Sequence, residues 1–233
     1  MPVEQVKFAE LHLVFGPYAY RENVPGVTDF EYDDESETQR VGANSFGARG
    51  PIAITDFYQG VQGRFNVVGS DGEAIVLAIA NGEDPAQFSV DNPLRRYYFF
   101  IAATAYDEDG ITPTWCHVIW EAKLNGPPLR IGPDARQYQF QAKRSKRIKG
   151  RRVRIQVYSG AATPVTSLPF AATPQQDDEG NFALVLLRQT QGSKVVRLLR
   201  KGVDYTETST AITLTQGLAA NERALVIYAA TPS

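Results

Sequence analysis

Pro113-Thr-Trp-Cys-His-Val-Ile-Trp-Glu-Ala-Lys-Leu124 is the stretch that decides the fold. In an extended chain successive side chains point to opposite faces. Cys116, Val118, Trp120, Ala122 and Leu124 therefore fall on one side, and His117, Ile119, Glu121 and Lys123 on the other. The pattern predicts a strand, ended by a turn at Asn125-Gly126-Pro127-Pro128. Upstream, Arg95 to Tyr106 is rich in aromatic and strand-forming residues. With the turn Asp107-Glu-Asp-Gly110 it predicts an antiparallel hairpin with 113–124. Downstream, Tyr138, Phe140 and Ala142 alternate with Gln137, Gln139, Gln141 and Lys143. After a turn at Lys149-Gly150, the strand Arg152 to Tyr158 follows, with Val153, Ile155 and Val157 inward. Three consecutive strands with glutamines and arginines outward point to a partner surface more than to a substrate pocket.

The 233 residues, 43% hydrophobic and 21% charged, have the balance of a soluble globular protein with room for one large or two small domains. The formal charge of -2 conceals two clusters. Asp29, Glu31, Asp33, Asp34, Glu35 and Glu37 form an acidic run. Lys143, Arg144, Lys146, Arg147, Lys149, Arg151, Arg152 and Arg154 form a basic one. Opposite patches suit self-association; the plainer alternative is two solvated faces. The single cysteine, Cys116, excludes a disulfide framework and a cysteine metal site, and reads as a buried small hydrophobe. Met1-Pro-Val-Glu-Gln lacks the basic region and apolar core of a signal peptide, and no run nears the ~20 apolar residues of a membrane span. The expectation is a protein folded in a cytoplasm, without a membrane anchor.

In chain order, Val6 to Phe15 reads as a strand whose alternation slips at Ala9-Glu10. Tyr18 to Gly50 reads as a long loop or arm, with Phe46 as its anchor. After a strand at 64–68, Asp71 is the expected N-cap of a helix that Asn81-Gly82 stops, with Ile75, Ala78, Ile79 and Gly82 on one face. A buried strand competes for 75–79, and cap and stop favour the helix. Residues 159–179, with Pro164, Pro169 and Pro174, read as a linker. Beyond it, short strands at 182–187, 195–199, 204–206, 211–215 and 224–228 form a unit too small for an independent core, which must lean on the first domain or on a partner.

Chemistry-bearing motifs are missing. His12 and His117 read as half-exposed strand residues, and no metal signature, phosphate loop, dinucleotide fingerprint or nucleophile elbow appears. The reading is not an enzyme, with no cofactor and no metal. The basic run beside Tyr138, Phe140 and Tyr158 could hold nucleic acid, but electrostatic pairing with a neighbouring copy is preferred.

Phe46-Gly-Ala-Arg-Gly-Pro-Ile-Ala-Ile-Thr-Asp-Phe57 leads into Gly60-Val-Gln-Gly-Arg-Phe-Asn-Val67 and the capped helix. Then come Ala122-Lys-Leu-Asn-Gly126 and Gly132-Pro-Asp-Ala-Arg-Gln-Tyr-Gln-Phe-Gln-Ala-Lys143. In this order they resemble the tail tube, or major tail, proteins of tailed bacteriophages, with a paired-glycine turn before the helix and a late strand ending aromatic-x-x-Lys. Roughly residues 5–158 are covered. Gly202-Val-Asp-Tyr205, Ile212-Thr-Leu214 and the strand ending at Tyr228 are similar to a small β module of phage structural and fibre proteins, departing from it at Asn221-Glu222.

The resemblance implies a mainly β fold: a β-sandwich or split barrel with one short helix over 1–160, a linker at 161–180, and a small all-β, outward-facing domain at 181–233. It implies six copies per ring and rings stacked into a tube for genome passage, with the 18–50 loop bridging rings. The tube would lie in the virion tail after assembly in the host cytoplasm. Partners would be sheath, terminator or baseplate proteins, with transient non-specific contact to DNA in an electronegative lumen. Candidate assembly contacts are Asp33, Asp34, Glu35, Phe46, Arg49, Lys143, Arg144, Lys146, Arg147, Arg151 and Arg152. Which charged run faces the lumen stays open; the basic run is assigned to subunit contacts, because a lysine-lined channel would hold DNA. The alternatives are a tail terminator, adaptor or other minor tail protein, and a non-catalytic carbohydrate- or nucleic-acid-binding β module.

Overall fold

The computed structural model describes residues 4–6, 9–20, 23–33, 38–39, 57–58, 60–87 and 97–231. In order these form β1 (Glu4–Val6), β2 (Ala9–Val14), β3 (Val27–Asp33), β4 (Thr38–Gln39), β5 (Phe57–Tyr58), β6 (Val61–Val68) and α1 (Ser70–Ala80). Next come β7 (Phe99–Tyr106), β8 (Pro113–Leu124), β9 (Leu129–Arg130), β10 (Ala135–Ala142), β11 (Arg144–Lys149), β12 (Arg152–Ser159) and β13 (Val165–Pro169). The last are β14 (Ala183–Thr190), β15 (Val196–Leu198), β16 (Tyr205–Glu207), β17 (Ala211–Leu218) and β18 (Glu222–Ala230). The fold is mainly β, with one short α-helix among the described residues.

Nine strands share one sheet along the path β1-β3-β6-β10-β8-β7-β2, with β9 beside β10 and β11 beside β8. The predicted hairpin is β7–β8. Val6 to Phe15, read as one strand, is two: β1 pairs with β3 and β2 with β7, at opposite ends of the path. Among the described residues no ladder joins β1 to β2, so the sheet is not closed into a barrel.

The face assignment of 113–124 needs correction at one residue. Glu121 has φ 53°, and two residues of β8, Trp120 and Glu121, oppose one of β7, Phe100, a bulge that inserts one extra residue. An inserted residue reverses which parity points inward. Cys116, Val118 and Trp120 enter one core, while Ile119, Ala122 and Leu124 enter another. The first core gathers Leu11 and Leu13 of β2, Phe30 of β3, Phe65 of β6, Ile101 of β7 and Phe140 of β10, with Val76 and Ile79 of α1.

A second core joins the opposite face of β7 and β8 to the C-terminal unit, packing Phe100, Val118 and Trp120 with Val153, Val185, Leu225 and Ile227. A third lies between the sheet β12-β18-β14-β15 and the sheet β13-β17-β16, around Leu186, Ile212, Leu214, Val226 and Tyr228. Strands used on both faces carry continuous apolar runs, as in Phe99–Ala103, Leu184–Leu187 and Ala224–Ala230.

The C-terminal unit recruits more chain than the sequence implied. β12 pairs along its whole length with β18, so it belongs to this sheet and not with the three preceding strands. β13 lies inside the segment 161–180, read as a linker, and pairs with β17. Buried Leu168 ties it down.

Two local expectations also change. The N-cap of α1 is Gly69, not Asp71; its φ of 94° turns the chain directly from strand into helix, and no side chain caps it. That conformation suits glycine and disfavours other residues. The expected 18–50 loop contains β3, whose Phe30 and Tyr32 are buried between outward Asp29, Glu31 and Asp33. The acidic charges had masked an alternating strand.

Candidate functional site

β3, β6 and β10 lie side by side, and from Asp29 to Asp33 their register is continuous. Their inward residues, Phe30, Tyr32, Val61, Phe65, Val67, Tyr138, Phe140 and Ala142, are buried. Gly63, also inward, leaves room for Phe140, whose ring would lie 2.4 Å from a Cβ there. With one side so anchored, the outward residues are ruled into three rows across the strands: Asp29–Asn66–Gln137, Glu31–Arg64–Gln139 and Asp33–Gln62–Gln141.

Side-chain contacts tie the first row and half of the second. Asn66 donates to Asp29 Oδ2 at 2.8 Å, and Gln137 Nε2 donates to Asn66 Oδ1 at 3.2 Å. Arg64, the one cation in the three rows, pairs with Glu31. The face thus presents amides and carboxylates, and its single guanidinium is already neutralised.

The basic run is dispersed by the fold. Among the described residues β11 pairs on one side only, with β8. Exposed Lys143 pairs with Glu121 at 2.8 Å across the bulge. Arg144 lies over the Trp120 ring at 4.7 Å and Arg147 over Trp115 at 5.1 Å. Lys146 reaches into the C-terminal unit, 2.8 Å from both Asp177 and Asp178 and 3.2 Å from Glu179. Arg151 donates to Gln175 at 3.3 Å, and Arg152 pairs with Glu10 at 2.9 Å.

The Lys146 contact is the best built of these. The Asp177 side chain is 4% exposed and accepts from the backbone N–H groups of Glu179 and Asn181 at 2.9 and 2.7 Å. Burial opposes its charge, but the hydrogen bonds from Lys146 and Asn181 hold it below the usual carboxylate range. Burial also opposes the charge of Lys146, and its hydrogen bonds to Asp177, Asp178 and Glu179 carry it above the usual lysine value. Sequence reading placed Asp177 at the end of a linker; no local pattern marks it as the partner of a lysine 31 residues away.

Of the other candidate contacts, Asp33 lies in the third row, whereas Asp34, Glu35, Phe46 and Arg49 lie outside the described residues.

Both histidines are buried, not half-exposed, because β2 and β8 are packed on both faces. His12 is in hydrogen-bonding range of Glu10, at 3.3 Å. His12, then Tyr106 and Arg152, hold Glu10 at about 2 against a burial that raises it. His117 Nδ1 bonds the Tyr32 hydroxyl at 2.8 Å; burial, then Arg147, lowers its pKa to about 4. Cys116 is wholly buried, and burial pushes its thiol up.

A groove of about 1100 Å³ runs between the two units, where Tyr97, Tyr98, Lys123 and Lys143 face Lys194 and Val195. Among the described residues no three His, Cys, Asp or Glu side chains are placed to hold a metal ion, and no helix is long and apolar enough to cross a membrane. No family model, curated protein or solved structure matches the chain.

Proposed function

We propose that the protein is a virion structural protein, a tail tube subunit that assembles into stacked hexameric rings through which a phage genome passes. Its nine-stranded sheet is read as the sandwich or split barrel of such a subunit. The observation that carries the reading is the ruled polar face of β3, β6 and β10.

DNA is held by cations that replace its counterions. Three rows of amides and carboxylates, with Arg64 paired to Glu31, offer no such hold. A surface of this kind suits the bore. It favours the acidic run as the face of the bore, and the basic run is read as making contacts within and between subunits.

Negative-stain electron microscopy at tens of micromolar, with light scattering alongside, tests the proposal. Hollow tubes or six-fold rings are expected, whereas a monodisperse monomer would overturn intrinsic self-assembly. Rings that never stack would favour a terminator or adaptor.

A further inference from the structure

The two ends of β6 and β10 differ in chemistry. At one end Val68 lies opposite Ala135, and the turn from β9 to β10 closes as Ile131 N–H donates to the Ala135 carbonyl at 3.1 Å. Val68, Leu129 and Ile131 are 43, 49 and 50% exposed, which makes an apolar tip. Gly69 N–H donates to the Asp134 carbonyl at 2.9 Å, drawing the start of α1 and exposed Asp71 to the same tip. Two cations lie beside them: Arg130 is folded back onto the carbonyls of Gly132 and Pro133, and Arg136, opposite it in register, donates to the Ala135 carbonyl and pairs with Glu73 at 3.6 Å.

The groove lies at the other end of the same strands, where Gln62 and Gln141 reach it, about 20 Å away at ~3.3 Å per residue. Tyr98 and Val195 stand 60 and 76% exposed there. Lys123 sits 5.4 Å over the Tyr98 ring, while Lys143 is paired with Glu121 at 2.8 Å and Lys194 with Glu83 at 2.9 Å.

An apolar tip with exposed Asp71 and Asp134 and an apolar groove whose Lys123 rests on a ring and not on a carboxylate are complementary, and their separation keeps them from meeting within one chain. We infer that the tip of one copy docks in the groove of a second copy, Leu129 and Ile131 against Tyr98 and Val195. The inference rests on the self-assembly reading and specifies its axial contact. Two different patches joined front to back leave a free tip and a free groove at each addition, so growth is open-ended, as stacking requires.

The test uses the full chain with Ile131→Cys and Val195→Cys made separately; both positions are exposed, and native Cys116 is buried. The two proteins are mixed at tens of micromolar under mild oxidation and read on a non-reducing gel. The mixed dimer is expected to exceed either homodimer about tenfold, because docking raises the local thiol concentration. Homodimers in equal or greater yield would overturn the contact. Tubes without the mixed dimer would overturn it too, while leaving the assembly reading intact. A monomer that never cross-links would remove both. Ile131→Asp, with unchanged thermal stability, is expected to give rings without tubes, and tubes of normal length from it would count against the contact.

Discussion

The acidic strand β3 and the basic strand β11 look like mirror images in sequence and are opposites in structure. β3 lies within the sheet, between β1 and β6, and its carboxylates share an exposed face with amides. Among the described residues β11 is paired on one side only, and its cations reach back to aromatic rings and carboxylates of the same chain. A run of like charge therefore says little about partners until the residues opposite it in register are known.

Truncating the inward side of β3 should have the largest effect. Phe30→Ala removes a wholly buried ring and is expected to cost about 3–5 kcal/mol in urea unfolding, whereas Glu31→Gln on the next residue should cost under about 1 kcal/mol. Equal losses would mean that the outward row is structural. On the basic side, Lys146→Met leaves the Asp177 carboxylate without its cation and should cost about 1–3 kcal/mol, while Arg144→Met, on an exposed ring contact, should cost about 0.5–1 kcal/mol.

Titration probes the contact of β11 directly. Asp177 and Glu10 have lowered folded values, so their contribution is complete above the unfolded range near about 4 and is lost as pH falls through the folded values, about 2 for Glu10. Lys146 has a raised folded value, so its share is complete below its unfolded value near about 10 and is lost as pH rises through the folded one. In Lys146→Met the urea midpoint should lose part of its acid dependence and this alkaline dependence; an unchanged profile would dismiss the contact.

The smallest effect on stability should carry the clearest functional signal. Asp29→Lys with Glu31→Lys should shift stability by about 1 kcal/mol or less and leave assembly intact. It should also create DNA binding with a steep salt dependence by gel shift, and absence of binding would weaken the bore assignment.

Sequence periodicity revealed most strands, because one buried face leaves a period of two. It misled where that condition failed. β8 changes parity at Glu121, which no residue type announces, and His117 is buried on a face expected to be half open. β3 hid beneath its charges, and β13 hid among prolines. The polar rows needed register, which only the ladders supply; Gln137, Gln139 and Gln141 were visible as an outward set, but not their alignment with Asn66 or Asp29.

The order of strands in the C-terminal sheet, β12-β18-β14-β15, places the last described strand at its centre. During synthesis β12 and β14 emerge with no neighbour between them, and β18 contributes to both the second and third cores. Neither core can close until residues 222–230 have left the ribosome. A nascent chain therefore lacks a finished wall to the groove, and under the proposed docking its competence to receive a second copy arrives only with β18.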